Sequence, residues 1–170
     1  ASGQVMLLIG SPMCSAFSQL QAINYTRMDP QRKEELIRKG RRHLEFCMRL
    51  YKIQLEQGLY FLYEHPAHAT SWKEPSVKEL VQDYRVHTVV GSMCQFGMVQ
   101  EDELGIAAVR KDTRFMTNAV CIAGRLRRKC PRDHRHIHLI NGRARAAQIY
   151  LDDSCTEIIK GLIDLSLIHI

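Results

Sequence analysis

Apolar positions along the chain change their spacing several times, and each change marks an element. Val5-Met-Leu-Leu-Ile9 is a continuous apolar run closed by Gly10-Ser11-Pro12, the pattern of a buried strand ending in a turn. From residue 31 to 57 the period becomes helical. Leu36, Gly40, Leu44, Cys47/Met48, Tyr51 and Leu55 share one face, Arg38, Arg41, Arg42 and Arg49 the other, and Gly58 ends the helix. Leu59-Tyr-Phe-Leu-Tyr63 reads as a second buried strand, closed by Glu64-His65-Pro66. Pro75 opens a short helix to Tyr84, since proline at a first helical position lacks only an N–H that has no intrahelical partner there. Arg85–Val90 alternates weakly as a third strand, 97–113 reads as a polar loop, and Arg114–Asn118 as a fourth strand. Helices are expected over 119–129 and 152–163.

Strands alternating with helices predict an α/β fold with a mostly parallel sheet. The chain has 170 residues, 45% hydrophobic and 25% charged, which suits one globular domain and excludes a disordered tail, a collagen-like repeat or a coiled coil. No apolar run approaches the length of a transmembrane helix. We expect one domain over residues 1–164. The entry into an apolar run so soon after Ala1 reads as a fragment starting just before a strand. Leu165–Ile170 resembles the translation of a transposon-end sequencing adaptor. It is set aside as read-through, with an authentic apolar helix end as the alternative.

Charge changes the picture because it is uneven. Eight basic residues (Arg125, Arg127, Arg128, Lys129, Arg132, Arg135, Arg143 and Arg145) stand against Asp133 alone, so this strip carries +7 in a chain of net +6. A dense basic strip, with Asn141-Gly142 inside it, suits sequence-independent contact with phosphates and makes nucleic acid the expected partner. The plain alternative is a solvated charged face. The six cysteines are irregularly spaced with no CxxC pair, which reads as free thiols in a reducing, nuclear or cytoplasmic setting.

Two strand ends carry candidate chemistry, since ligands of open parallel sheets sit beyond the strands' carboxyl ends. Cys14 lies in a tight loop after the first strand and Glu64 after the second. If those strands are neighbours, a thiol and a carboxylate share a cleft. A stabilised thiolate is a nucleophile, and a carboxylate shielded by Tyr60, Tyr63 and Trp72 can hold a proton. The alternatives are a small buried cysteine and a turn-capping glutamate.

Gly10-Ser-Pro-Met-Cys-Ser-Ala-Phe-Ser18 resembles the nucleophile loop of cytosine-5 DNA methyltransferases, Gly-Ser-Pro-Pro-Cys with Phe-Ser soon after, and Glu64-His65-Pro66 is similar to their Glu-Asn-Val. Cys94-Gln-Phe-Gly97 and Thr113-Arg-Phe-Met-Thr117 fall where that family has a Tyr-Gly turn and an Arg-bearing strand. The order of these segments, followed by C-x3-H-x-H and Asn141-Gly-Arg-Ala-Arg-Ala-Ala-Gln-Ile-Tyr150, resembles more closely the methyltransferase-like domain of Copia-type retroelement polyproteins of dinoflagellates and other protists, over about residues 5–163. The resemblance implies a partial Rossmann-like fold whose N-terminal cofactor half is missing, acting on cytosine in DNA.

By that resemblance Cys14 adds to ring carbon 6 of a flipped-out cytosine, Glu64 hydrogen-bonds the ring nitrogen, and Arg114 contacts base or phosphate. Ser11, Pro12, Ser15, Phe17, Ser18 and His65 surround the substrate, and S-adenosylmethionine supplies the methyl group in the parent protein. Met13 stands where the family has Pro, His65-Pro66 replaces Asn-Val, no Gln-x-Arg-x-Arg run lies near Arg114, and no Phe-x-Gly-x-Gly cofactor loop occurs in the chain. This chain is therefore expected to bind S-adenosylmethionine weakly or not at all. A non-catalytic nucleic-acid-binding module of a mobile-element polyprotein is the second expectation.

Cys130, His134, His136 and His138 have the ligand types of a zinc site, with Cys94 or Cys121 as spare thiols. If 134–138 is extended, the three histidines share a face. Solvated basic loop and direct phosphate contact are the alternatives, and a zinc-stabilised interaction domain is the third functional expectation.

Overall fold

The longest element is set by its caps and its apolar stripe. Helix α2 (Pro30–Glu56) starts where the Asp29 carboxylate accepts from the Arg32 N–H at 3.0 Å, with Pro30 in its first turn. It stops at Gln57, followed by Gly58 with φ 69°, a left-handed conformation that costs glycine little. Of its buried residues, Gly40, Leu44, Met48, Tyr51 and Leu55 fall on the predicted face, and Gln54 is buried beside them. In this computed structural model, which describes residues 6–139, 143–144 and 146–168, the chain forms two compact units.

The first unit runs to Thr88 and includes Met116–Asn118. Strand β1 (Leu7–Gly10) pairs in parallel with β2 (Tyr60–Pro66), Gly10 facing Tyr63. Ser18 caps a short helix α1 (Gln19–Tyr25), and α3 (Pro75–Val81) completes the helical set. The core joins Leu44, Met48 and Tyr51 of α2 to Phe61 and Tyr63 of β2, with Trp72, Val77 and Leu80. Its centre is aromatic: Tyr51 stacks on Phe61 at 5.0 Å, and Trp72 meets Tyr63 edge-on at 4.9 Å. Beyond β2, the Asn118 amide donates to the Leu59 carbonyl at 2.8 Å and accepts from the Phe61 N–H at 3.0 Å.

The second unit comprises Val89–Phe115 and residues from Ala119 on. It holds most of β3 (His87–Ser92) and of β6 (Asp112–Thr117), which are neighbours in one sheet. A second sheet has the order β4 (Val99–Asp102), β5 (Gly105–Val109), β7 (His136–Ile137). Helix α4 (Val120–Leu126) packs on α5 (Asp152–Ile168) so closely that a Cβ on Gly161 would lie 2.8 Å from the Ile122 backbone.

The fold is thus α/β with mixed sheets: β1/β2 and β5/β7 are parallel, β4/β5 antiparallel. The expected loop at 97–113 is largely the β4–β5 hairpin. Its short, half-exposed strands give no long apolar run, and the turn is closed by Leu104 N–H donating to the Asp102 carboxylate and by Gly105 at φ 88°. Glu64-His65-Pro66 does not close β2 but continues it. Helix α5 runs past 163 to Ile168, so the first of the residues set aside as read-through are helical, and Leu165 is buried. Among the described residues no helix is long and apolar enough to cross a membrane.

Candidate functional sites: a pinned thiol loop and a cysteine–histidine cluster

Because β1 and β2 are parallel neighbours with Gly10 opposite Tyr63, the chain leaving β1 runs beside Glu64. There the exposed Ser11 hydroxyl donates to Glu64 Oε2 at 2.8 Å. Gly10 is required at the strand end: a Cβ would lie 1.9 Å from the Tyr51 hydroxyl oxygen, and Tyr51 is buried. Cys14 follows and precedes one turn of 3-10 helix (Ser15–Phe17), closed by Phe17 N–H donating to the Cys14 carbonyl at 2.9 Å. That turn seats on α2 where Gly40 leaves room, a Cβ there meeting Ala16 Cβ at 2.6 Å. Tyr25 donates to the Ala16 carbonyl at 2.8 Å and Thr70 to the Phe17 carbonyl at 3.3 Å.

His65 holds the other side of the loop. Its Nε2 lies 2.7 Å from the Pro12 carbonyl, which can only accept, so Nε2 carries the proton and Nδ1 accepts from the Ser71 hydroxyl at 2.7 Å. Burial pushes the His65 imidazole below its ordinary pKa, against the raising effect of the Pro12 carbonyl, so the ring is neutral at neutral pH. Burial likewise pushes the Tyr63 hydroxyl up. The result is a half-buried thiol in a loop tied down on both flanks, beside a carboxylate whose Oε1 is not engaged by Ser11.

This geometry divides the residues expected around the substrate. Ser11 and Ser15 are exposed. Pro12 and Phe17 are buried, and His65 has both ring nitrogens engaged within the protein, so these three position the loop. Ser18 caps α1 by accepting from the Gln21 N–H. Of the supports of the loop, Gly40 and Tyr51 are marked in the sequence only as positions on the apolar face of α2, and Tyr25 and Ser71 carry no local signature. Arg114 is half-buried on the part of β6 that belongs to the second unit.

The second unit brings together Cys94, Cys130, His134 and His136, whose ligand atoms all lie within 4.8 Å of one another and could hold a metal ion. Cys94 sits in the 3-10 turn Met93–Phe96 after β3, ended by Gly97 at φ 80°. Cys130 is tied to β3 by its N–H donating to the Ser92 hydroxyl at 3.2 Å. The chain then folds back on the Cys130 sulfur: Arg132 takes φ 64° and its N–H donates to Sγ at 3.2 Å. His134 and His136 turn Nε2 toward the same sulfur at 3.6 and 3.4 Å, and His134 Nδ1 meets Asp133 Oδ1 at 2.8 Å. Burial, then the neighbouring Cys130 thiol, pushes the Cys94 thiol up. Burial, then the neighbouring His134 ring, pushes the His136 imidazole down.

The set differs from the sequence expectation. Cys94 is a member; His138 is exposed and outside it, because only His136–Ile137 is extended and the three histidines do not share one face. Cys121 lies on α4 outside it.

The basic strip is also redistributed. Arg125 pairs with Glu157 at 3.0 Å and Asp164 at 2.8 Å, Arg128 with Glu157 at 3.2 Å, and Arg135 with Asp102 at 2.8 Å. Arg127, Lys129 and Arg132 are exposed. Lys129 and Arg132 join Arg110 and Lys111 around a pocket of ≈ 530 Å³ that also includes Cys94, Cys130 and His136. Arg143 offers its carbonyl to Gln100, while Arg145 and Asn141-Gly142 lie outside the described residues. Comparison with protein-family models, curated proteins and solved structures finds no match to this chain.

Proposed function

We propose that this chain is the base-activating part of a cytosine-5 DNA methyltransferase-like domain of the Copia-type retroelement kind, with Cys14 as nucleophile and Glu64 as the group that binds and protonates the ring nitrogen. The observation that carries this reading is the 2.8 Å hydrogen bond from Ser11 to Glu64, which sets the loop bearing Cys14 beside the carboxylate at the edge of two parallel strands. The pinned loop supports it, since a nucleophile needs a fixed approach to its target.

In this reading the Cys14 thiolate forms a bond to carbon 6 of an extruded cytosine while the ring electrons move toward carbon 5, and the ring nitrogen takes the Glu64 proton. Ser11 leaves Oε1 for that contact. Carbon 5 then accepts a solvent proton, loses its original one, and the thiolate departs as the 5,6 double bond re-forms and the nitrogen returns its proton. The net result without a methyl donor is hydrogen exchange at carbon 5.

S-adenosylmethionine belongs to the parent protein in this reading. The residues present do not suit it: no Phe-x-Gly-x-Gly loop occurs, Gly10 at the end of β1 is not in the left-handed region, and the chain passes on into the tight 3-10 turn Ser15–Phe17.

The test is release of tritium from carbon 5 of cytosine in single-stranded and mismatched DNA, without methyl donor. Wild type should release it, and Cys14→Ser should fall to the buffer rate. No release by wild type on either DNA overturns the enzymatic reading. DNA binding without release then favours the non-catalytic binding module, for which Arg110, Lys111, Lys129 and Arg132 around one pocket are the supporting observation.

A further inference from the structure

The segment between α4 and α5 poses a physical problem. Among its described residues, regular structure amounts to the two-residue strand β7 and the three-residue 3-10 turn Ala146–Gln148. A two-residue strand does not hold a long connection in place, yet Ile137 within it is buried. Arg135 to Asp102, Gln100 to the Arg143 carbonyl and Lys111 to the Ala147 carbonyl tie its middle and its end, and the chemistry gathered at its start supplies a further tie there.

We propose that Cys94, Cys130, His134 and His136 bind one Zn2+ as a closed structural site that fastens this segment to the turn after β3. Four observations converge. The donor set, two thiolates and two imidazoles, is that of structural zinc rather than of calcium or magnesium. The spacing of both histidine nitrogens from the Cys130 sulfur is that of a coordination tetrahedron. Bonds of about 2.3 Å to sulfur and about 2.05 Å to nitrogen at tetrahedral angles put sulfur and nitrogen about 3.6 Å apart; Cys130 Sγ lies 3.6 and 3.4 Å from the two Nε2 atoms.

The tautomer of His134 is set for metal. Asp133 Oδ1 at 2.8 Å accepts the Nδ1 proton, leaving the Nε2 lone pair facing the thiols, the usual outer support of a zinc-bound histidine. The sulfur is also supported, since the Arg132 N–H donates to Cys130 Sγ and stabilises a thiolate there. With four protein ligands no coordination position remains for substrate, so the ion is structural. Binding replaces the two thiol protons, which leave to solvent, and no oxidant or reductant is involved.

The role follows from which segments the ligands come from. Cys94 follows β3, and the other three lie early in the connection from α4 to α5, so the metal closes the long loop that α4 leaves behind. Lys129 and Arg132 flank Cys130 directly and are held with it. The site is independent of Cys14 and Glu64, which lie in the other unit.

The full chain, purified under reducing conditions with zinc in the medium, is tested by elemental analysis and by cobalt substitution. One zinc per chain is expected, and a cobalt spectrum with tetrahedral d–d bands and thiolate charge transfer. Cys94→Ser, Cys130→Ser, His134→Ala and His136→Ala should each lose most of the metal; Cys121→Ala and His138→Ala should retain it. Three results would overturn the site: zinc well below one per wild-type chain after reconstitution, an octahedral cobalt spectrum without thiolate charge transfer, or His138→Ala losing metal as His136→Ala does. The wild-type measurements stand even if a ligand variant fails to fold.

Discussion

The thiol loop of the first unit and the cysteine–histidine cluster of the second are both built from short polar segments, but they are held by different physics. The loop is held from beneath by a packed aromatic core, with Gly10 and Gly40 admitting Tyr51, Ala16 and Phe17 at close range and His65 joining Pro12 to Ser71 where water does not reach. The cluster lies among half-buried and exposed residues, and its neighbourhood is organised by ion pairs and a convergence of ligand atoms. Positioning by packing tolerates salt and fails with volume changes. Positioning by charge and ligation fails with salt, acid or chelation and tolerates volume changes.

The sharpest division between the regions is chemical. Glu64→Gln should slow carbon-5 exchange by about 10²–10⁴-fold, the usual range for a lost proton-transfer group, with far-ultraviolet circular dichroism unchanged. His136→Ala in the other unit should leave the exchange rate within error. An equal loss from both variants, read in the same tritium assay, would show that the two regions act as one site.

Next in size is packing. Gly40→Ala should destabilise the chain by about 1–3 kcal/mol, the range for overpacking a filled contact, because Ala16 and Phe17 must move. Urea denaturation measures it. Gly124→Ala, with open space around its Cβ position on α4, should be neutral or stabilising by comparison. A silent Gly40→Ala would mean that the loop is not seated on α2 as described.

Smaller effects concern charge. If nucleic acid meets the basic pocket, Lys129→Ala and Arg132→Ala should each lower the slope of log affinity against log salt by about 1. Arg125→Ala should change it less, since Glu157 and Asp164 already face that guanidinium. A fluorescence-anisotropy salt titration on single-stranded DNA reads both, and equal slopes for all three variants would return the strip to a uniform charged face.

The smallest expected effect is on stability against pH. His65 is depressed in the fold, so the unfolded chain binds its proton first; its contribution is whole above about pH 6.5, the ordinary histidine value, and is lost as pH falls through the folded value. In the second unit the Arg125 hydrogen bond lowers Glu157, and the Arg135 hydrogen bond lowers Asp102. Those contributions are whole above the ordinary carboxylate range and are lost only at more acid pH. Thermal melts between pH 7 and 5 should therefore weaken in wild type and weaken less in His65→Gln. Identical slopes would remove the buried histidine as the cause.

Much of the scaffold was readable along the chain. The period of α2, its Asp29 cap and its Gly58 stop are local signals, and the apolar runs of β1 and β2 mark strands that are neighbours, as a shared Cys14–Glu64 cleft requires. The β4–β5 hairpin was not readable, because strands exposed on one side and only four or five residues long resemble a loop in composition. The part His65 plays in holding the loop was not readable either, since the engagement of both its ring nitrogens depends on Pro12 and Ser71 arriving from two other segments.

Local chemistry settles what each short stretch becomes. Hydrophobic period, proline, glycine and capping side chains act within a turn or two, so the sequence carries helix, strand and candidate-residue information directly. Which charges and which ligands count is chosen only when distant segments meet. Arg125 is neutralised by acids 32 and 39 residues away, and Cys94 joins Cys130 through the return of the chain after α4. Coulomb forces and metal coordination act through space over a few ångströms, and no periodicity in the chain records which residues will be brought that close.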